Sequence, residues 1–135
     1  MGTSNSNKNY ESGSVNSGVA ENAVEAYRFV KLGTNEGQVT PCTAIGDVAI
    51  GVSLNKAAAG ERVDYQVRGV ALVEMSAAVS RGAQVMPTGS GAGKGSTAAG
   101  ATARSSGVAV GASTDDAQVI AVAINLPNLN GPANS

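Results

Sequence analysis

Short apolar stretches separated by small-residue turns run along the chain. Two of them carry the same Gly-Val step in the same setting. Ala49-Ile50-Gly51-Val52-Ser53 leads through Ala57-Ala58-Ala59-Gly60 to Arg62-Val63-Asp64-Tyr65-Gln66-Val67. Ser106-Gly107-Val108-Ala109 leads through Ser113-Thr114-Asp115-Asp116 to Gln118-Val119-Ile120-Ala121-Val122. Both read as strand, turn, strand. The offset is 56 residues for Gly51 to Gly107, Val52 to Val108 and Val63 to Val119. This pattern predicts a small all-β module built from related hairpins.

The remaining pattern fills in around those hairpins. Residues 1–22 are Asn, Ser, Gly and Glu with little apolar content. Such a segment cannot offset its ordering entropy by burial, so it reads as a flexible N-terminal arm that orders on a partner. Alternation over 22–32 predicts a first strand. Gln38–Cys42 reads as a second, and Pro41 points to an edge position or a bulge because proline cannot donate to a ladder. Further strands are expected around 48–54, 61–66, 67–73, 83–86, 102–110 and 118–124, with Gly69 as a bulge or bend. Met75–Gly82 has short-helix character, with Ser76 as cap and Gly82 as stop. Thr88–Gly100 is a low-complexity Gly/Ala/Ser loop. The expected organisation is an arm at 1–22, a β domain at 23–126 and a Pro/Asn tail at 127–135. The expected fold is a small β-sandwich or partly open β-barrel with at most one short helix.

Composition sharpens this picture. Val outnumbers Leu, and β-branched side chains suit a pleated sheet. Aromatics are scarce, with three Tyr, one Phe and no Trp. A Val/Ala core is thin, which predicts that the fold gains stability by association. The net charge is −1, from 9 basic and 10 acidic residues spread singly. That pattern gives no basic patch for nucleic acid. No apolar run approaches the ~20 residues of a membrane span. The polar start carries no signal-peptide pattern.

Candidate chemistry adds little. His, the commonest general base and metal ligand, does not occur in the sequence. Cys42 is a single cysteine, best read as a small buried strand residue. Gly89-Ser90-Gly91-Ala92-Gly93-Lys94-Gly95-Ser96-Thr97 imitates a phosphate-binding loop. However, Thr88 stands where the first Gly belongs, and Gly95 stands where Ser or Thr should follow Lys94. The segment therefore reads as a surface loop in which Lys94 is dispensable. Asp115-Asp116 and Asp47 read as turn residues, since two adjacent Asp supply too few oxygens for Ca²⁺. Asp64 pairs with Arg62 or Arg68 on a solvated face. The sequence singles out no catalytic, cofactor-binding or metal-binding residue.

The order Ala44-Ile45-Gly46-Asp47-Val48-Ala49-Ile50-Gly51-Val52, Ala57-Ala58-Ala59-Gly60-Glu61-Arg62-Val63, Val67-Arg68-Gly69-Val70 and Arg81-Gly82-Ala83-Gln84-Val85 resembles the capsid cement, or head decoration, proteins of tailed bacteriophages. The resemblance covers roughly residues 24–125. It implies a virion protein made in the host cytoplasm that sits on the outer capsid surface. There it would bind the major capsid protein, clamp shell subunits together and form homo-oligomers, often homotrimers. It carries over no catalytic residues and no cofactor. The N-terminal arm and the β edge near Pro41-Cys42 are the expected contact segments. The alternative is an adhesin-like or fibre-type β module for a host or carbohydrate surface, for which the few aromatics are a poor fit.

Overall fold

The computed structural model describes residues 15–44, 47–88, 92–97, 105–115 and 117–126. Ten strands run through them: β1 (Val15–Ala20), β2 (Phe29–Leu32), β3 (Gln38–Pro41), β4 (Gly51–Ser53), β5 (Arg62–Gln66), β6 (Arg68–Glu74), β7 (Gln84–Pro87), β8 (Gly95–Thr97), β9 (Gly107–Ala109) and β10 (Val119–Asn125). The described residues contain no helix, so the fold is all-β. Met75 and Val79, where a helical turn was expected, form single bridges to Gly95 and Ser113. The amides of Ser76 and Val79 donate to Gly95 O and Ser113 O, which takes them out of local helical bonding.

The first five strands close into a barrel in the order β1-β3-β2-β4-β5, with β1 parallel to β3 and antiparallel to β5. Barrel interiors narrow as strand number falls, and eight strands already leave only enough room for side chains. Five strands therefore select small residues. The interior is Ala20, Val24, Val30, Val39, Ala57 and Val63, with Ile50 and Tyr65 packed against it. The Val/Ala bias follows from this geometry. Tyr65 fits only because Gly51 faces it: a Cβ on Gly51 would sit 2.5 Å from the Tyr65 Cδ2. The matching Gly107 leaves room for Val122, whose Cγ1 would be 2.8 Å from an added Cβ.

The second sheet, β6-β10-β9-β7-β8, repeats the first barrel pair by pair. Gly18↔Val63 becomes Val73↔Ile120, Val30↔Gly51 becomes Val85↔Gly107, and Lys31↔Thr40 becomes Met86↔Ser96. Ser53↔Tyr65 becomes Ala109↔Val122. Ala20↔Val39 becomes the bridge Met75↔Gly95, and Val24↔Ala57 becomes Val79↔Ser113. Val63 thus corresponds to Ile120 rather than to Val119, and both are buried. The slip arises in the turn before the last strand. Glu61 caps its turn from three residues beyond Ala58, whereas Gln118 caps the later turn from four beyond Thr114.

One difference separates the repeats. In the first, Val19 N–H donates to Gly37 O at 2.9 Å and closes the β1–β3 seam. In the second, the corresponding seam between β6 and β8 is held open at Glu74 by the first repeat, and only the Met75↔Gly95 bridge spans it beyond. Glu74 N–H donates to Tyr27 O (2.9 Å), and Phe29 N–H donates to Gly93 O (2.8 Å). Phe29, Cys42, Ala49 and Val52 of the first repeat accordingly join the second repeat's core with Val73, Met75, Val85, Ile120 and Val122.

Several expectations are corrected. Composition predicts an arm over 1–22, yet residues 15–20 are β1, paired on both sides. Only Ala20 of this strand is buried, so backbone pairing rather than side-chain burial holds it, and composition does not register that. Residues 1–14 and the tail at 127–135 lie outside the described residues. The strand expected over 22–32 is confined to 29–32, because Tyr27 takes a left-handed conformation (φ 67°) that breaks the alternation. Pro41 is not on an edge strand, since β3 is interior to the barrel. Pairing with β1 stops at Ala20↔Val39, so at Pro41 no β1 residue waits for the missing N–H.

Candidate interaction surfaces

Alternation along β6 and β10 turns odd and even positions to opposite sides. Ala71, Val73, Ile120, Val122 and Ile124 face the core. The other side carries Val70, Leu72, Val119, Ala121 and Ala123, extended by Val108 and Val110 at β9. The register lines them up as Val70–Ala123–Val108 and Leu72–Ala121, with Val110 N–H donating to Ala121 O and Val119 opposite Glu74. Val70, Leu72, Val108, Val110 and Val119 are 51%, 48%, 43%, 44% and 43% exposed. This is a contiguous apolar sheet face with no charged side chain in its centre.

The same three-strand face in the first repeat is polar at its centre. Leu72, Val119 and Ala121 correspond there to Ser17, Arg62 and Asp64. The Ser17 hydroxyl donates to Asp64 Oδ1 at 2.7 Å, Arg62 Nε donates to the same oxygen at 3.0 Å, and Arg62 Nη2 reaches Ser17 Oγ at 3.1 Å. The Ser17 hydroxyl and then Arg62 hold the Asp64 carboxyl below its ordinary value. One backbone framework therefore carries a solvated triad in one repeat and an apolar patch in the other.

Between the repeats lies a cluster that sequence reading misses. Glu74 Oε1 accepts from Arg28 Nη2 at 3.3 Å, and Glu74 Oε2 lies 3.4 Å from Lys94 Nζ. Arg28 Nη1 also donates to Ala92 O at 3.3 Å. The three side chains are mostly shielded from water. Their partners are 46 and 20 positions apart in sequence, and no local motif links them. Lys94, adjoining β8, is therefore an ion-pair partner of Glu74 within the second repeat, in a cluster that Arg28 joins from the first, and not a residue on a free loop. Gly93 beside it has no space for a side chain, since a Cβ would meet Phe29 O at 2.5 Å. Residues 89–91 and 98–100 of the Gly-rich segment lie outside the described residues.

The remaining candidates fall at separate places. Cys42 is fully buried, and burial first, then Asp47, pushes its thiol up to about 12. Asp47 organises the loop after β3. Its Oδ2 accepts from Thr43 N–H (2.8 Å), Ala44 N–H (2.9 Å) and Lys31 Nζ (3.0 Å). Burial pushes the Asp47 carboxyl up, but these hydrogen bonds outweigh it and hold the group below its ordinary value. Asp115 N–H donates to Gln118 Oε1 in the turn before β10. Asp116 lies outside the described residues. Among the described residues no group of three His, Cys, Asp or Glu stands close enough to hold a metal, and no helix is long and apolar enough to cross a membrane.

A family model described as "Phage cement protein" matches residues 11–124 of the chain. Among solved structures, the chain is similar to the head fiber gp8.5 N base of bacteriophage phi29. The TM-score is 0.67 at 15% identity, over 85% of this chain and 96% of that one. No curated protein matches it in sequence.

Proposed function

The chain belongs to the phage cement protein family, and on that membership we propose that it is a structural protein of a phage virion. In this reading it binds the outer surface of the capsid as a homotrimer and stabilises contacts between major capsid protein subunits. The family match over residues 11–124 is the observation that carries the reading.

The residues support contact rather than catalysis as its mode of action. A thiol with a pKa of about 12 is a poor nucleophile near neutral pH. Asp47 and Asp64 are engaged in hydrogen bonds that fix loops and strand faces. What the surface offers is rigid sheet faces. A typical stable interface buries roughly 1,200–2,000 Å². Many copies, each adding a modest interface across a subunit boundary, raise the barrier to shell rupture together. Pro41 and Cys42 are buried, so contact near β3 cannot use them.

The test compares heads assembled with and without the protein. Purified heads should carry it, and heads lacking it should rupture at lower temperature and milder osmotic shock. Equal resistance, or absence from purified particles, removes the reading. The likeness in fold to a head-fibre base favours a fibre-type attachment module as the second reading. In that case the protein would sit on heads without changing their resistance.

A further inference from the structure

We propose that the apolar face of Val70, Leu72, Val108, Val119 and Ala121 is where copies of this chain join one another. The inference rests on the reading above and names the surface behind the homo-oligomer.

Three observations point to a second copy as the occupant. The first is the contrast between repeats. The same register supports Ser17–Asp64–Arg62 on one face and Leu72–Ala121–Val119 on the other, so the framework does not require apolar side chains there. Left open to water, a contiguous apolar patch marks an interaction site. The second is equivalence, at the patch margin, to an interface already inside the chain. Val108 at the patch margin corresponds to Val52, which is fully buried where the first repeat packs into the second. Next to Val108, a groove of about 380 Å³ runs past Ser105, Gly107, Ala123 and Asn125. Ser105 corresponds to Ala49, which is likewise buried at the inter-repeat junction. The edge that docks one repeat on another is thus open on the second repeat. The third is composition. Charge depletion with aliphatic side chains is the signature of permanent homomeric interfaces, whereas contacts made by partners that first exist free in solution are more polar. By that signature, copies of this chain rather than the shell cover this face.

The repeat supplies its own test. The triple substitution Leu72→Ser, Val119→Arg and Ala121→Asp writes the first repeat's outer triad onto the second. The first repeat shows that this framework carries those side chains. Light scattering after size exclusion at micromolar concentration should give an oligomer for the unchanged chain. It should give a monomer for the triple variant, with the circular dichroism spectrum retained and the association constant lowered at least about 100-fold. Ser17→Ala with Asp64→Ala on the first repeat should leave the oligomer intact. An unchanged oligomer in the triple variant, or a monomeric unchanged chain, overturns the inference. Head binding is measured in parallel. A variant that stays oligomeric but no longer binds heads assigns the face to the shell and overturns self-association alone. An unchanged chain that forms the oligomer but never binds heads sinks the proposed function and leaves this interface standing.

Discussion

At the residue scale, the two repeats act as mutual controls. Gly60 and Ala117 occupy the same turn, where their amides donate to Ala20 O and Met75 O, and both have positive φ (89° and 67°). Tyr27 and Gly82 share another such position, at φ 67° and 88°. An L-residue with a side chain costs roughly 1–2 kcal/mol in this region, partly offset by the unfolded-state entropy that Gly adds. Ala117→Gly should therefore stabilise the protein by about 0.5–1 kcal/mol, and Gly82→Ala should destabilise it by a similar amount. Urea midpoints at unchanged slope check both. Asp47 gives a pH signature. Its folded pKa lies below the unfolded value of 3.8, so its contribution is present above that value and is lost as pH falls through the folded pKa. Asp47→Asn should flatten the acid limb of a stability–pH curve below about pH 4. An acid limb identical to that of the unchanged chain would refute this.

At the scale of elements, the junction between repeats is a backbone insertion. The segment Tyr27–Phe29 stands between β6 and β8 and bonds to both, and Glu74 gathers Arg28 and Lys94 over it. Removing the shared anion leaves two shielded cations facing each other, which costs more than removing one cation. Glu74→Ala should destabilise by about 2 kcal/mol and Lys94→Ala by about 1 kcal/mol, discounted from fully buried pairs because some solvent reaches them. Thermal unfolding of both variants checks the order. A negligible loss for Lys94→Ala would make it dispensable, and equal losses would refute the argument from the shared anion.

At the scale of the whole molecule, the repeats share a core. Phe29 belongs to the first repeat by sequence and pairing, yet it is buried among residues of the second. Truncating a buried Phe typically costs 3–5 kcal/mol. Phe29→Ala should therefore lower the stability of both repeats together, within one cooperative unfolding transition followed by amide exchange in each. Two separated transitions in the unchanged chain would show independent units.

The strand content and the repeated hairpin were legible in the sequence because both are local. Val-rich alternation and turn residues act over a few positions, and Gly51 and Gly107 mark the same crowded crossing twice. The repeat at 56 residues was visible at β4 and β9. Its extension to all five strands was hidden by one-residue slips in the turns, which move Val63 onto Ile120. β1 was illegible because its ladder is made by backbone groups, and its side chains mostly face water. The Arg28–Glu74–Lys94 cluster and the burial of Phe29 were illegible because they join residues across the two repeats, and spacing along the chain carries no information on that. The apolar outer face is intermediate. Its residues alternate in the sequence, but Val70, Leu72 and Val119 read there as ordinary strand positions. Tertiary structure alone decided which side of β6 and β10 the core would take, and so left those side chains facing out.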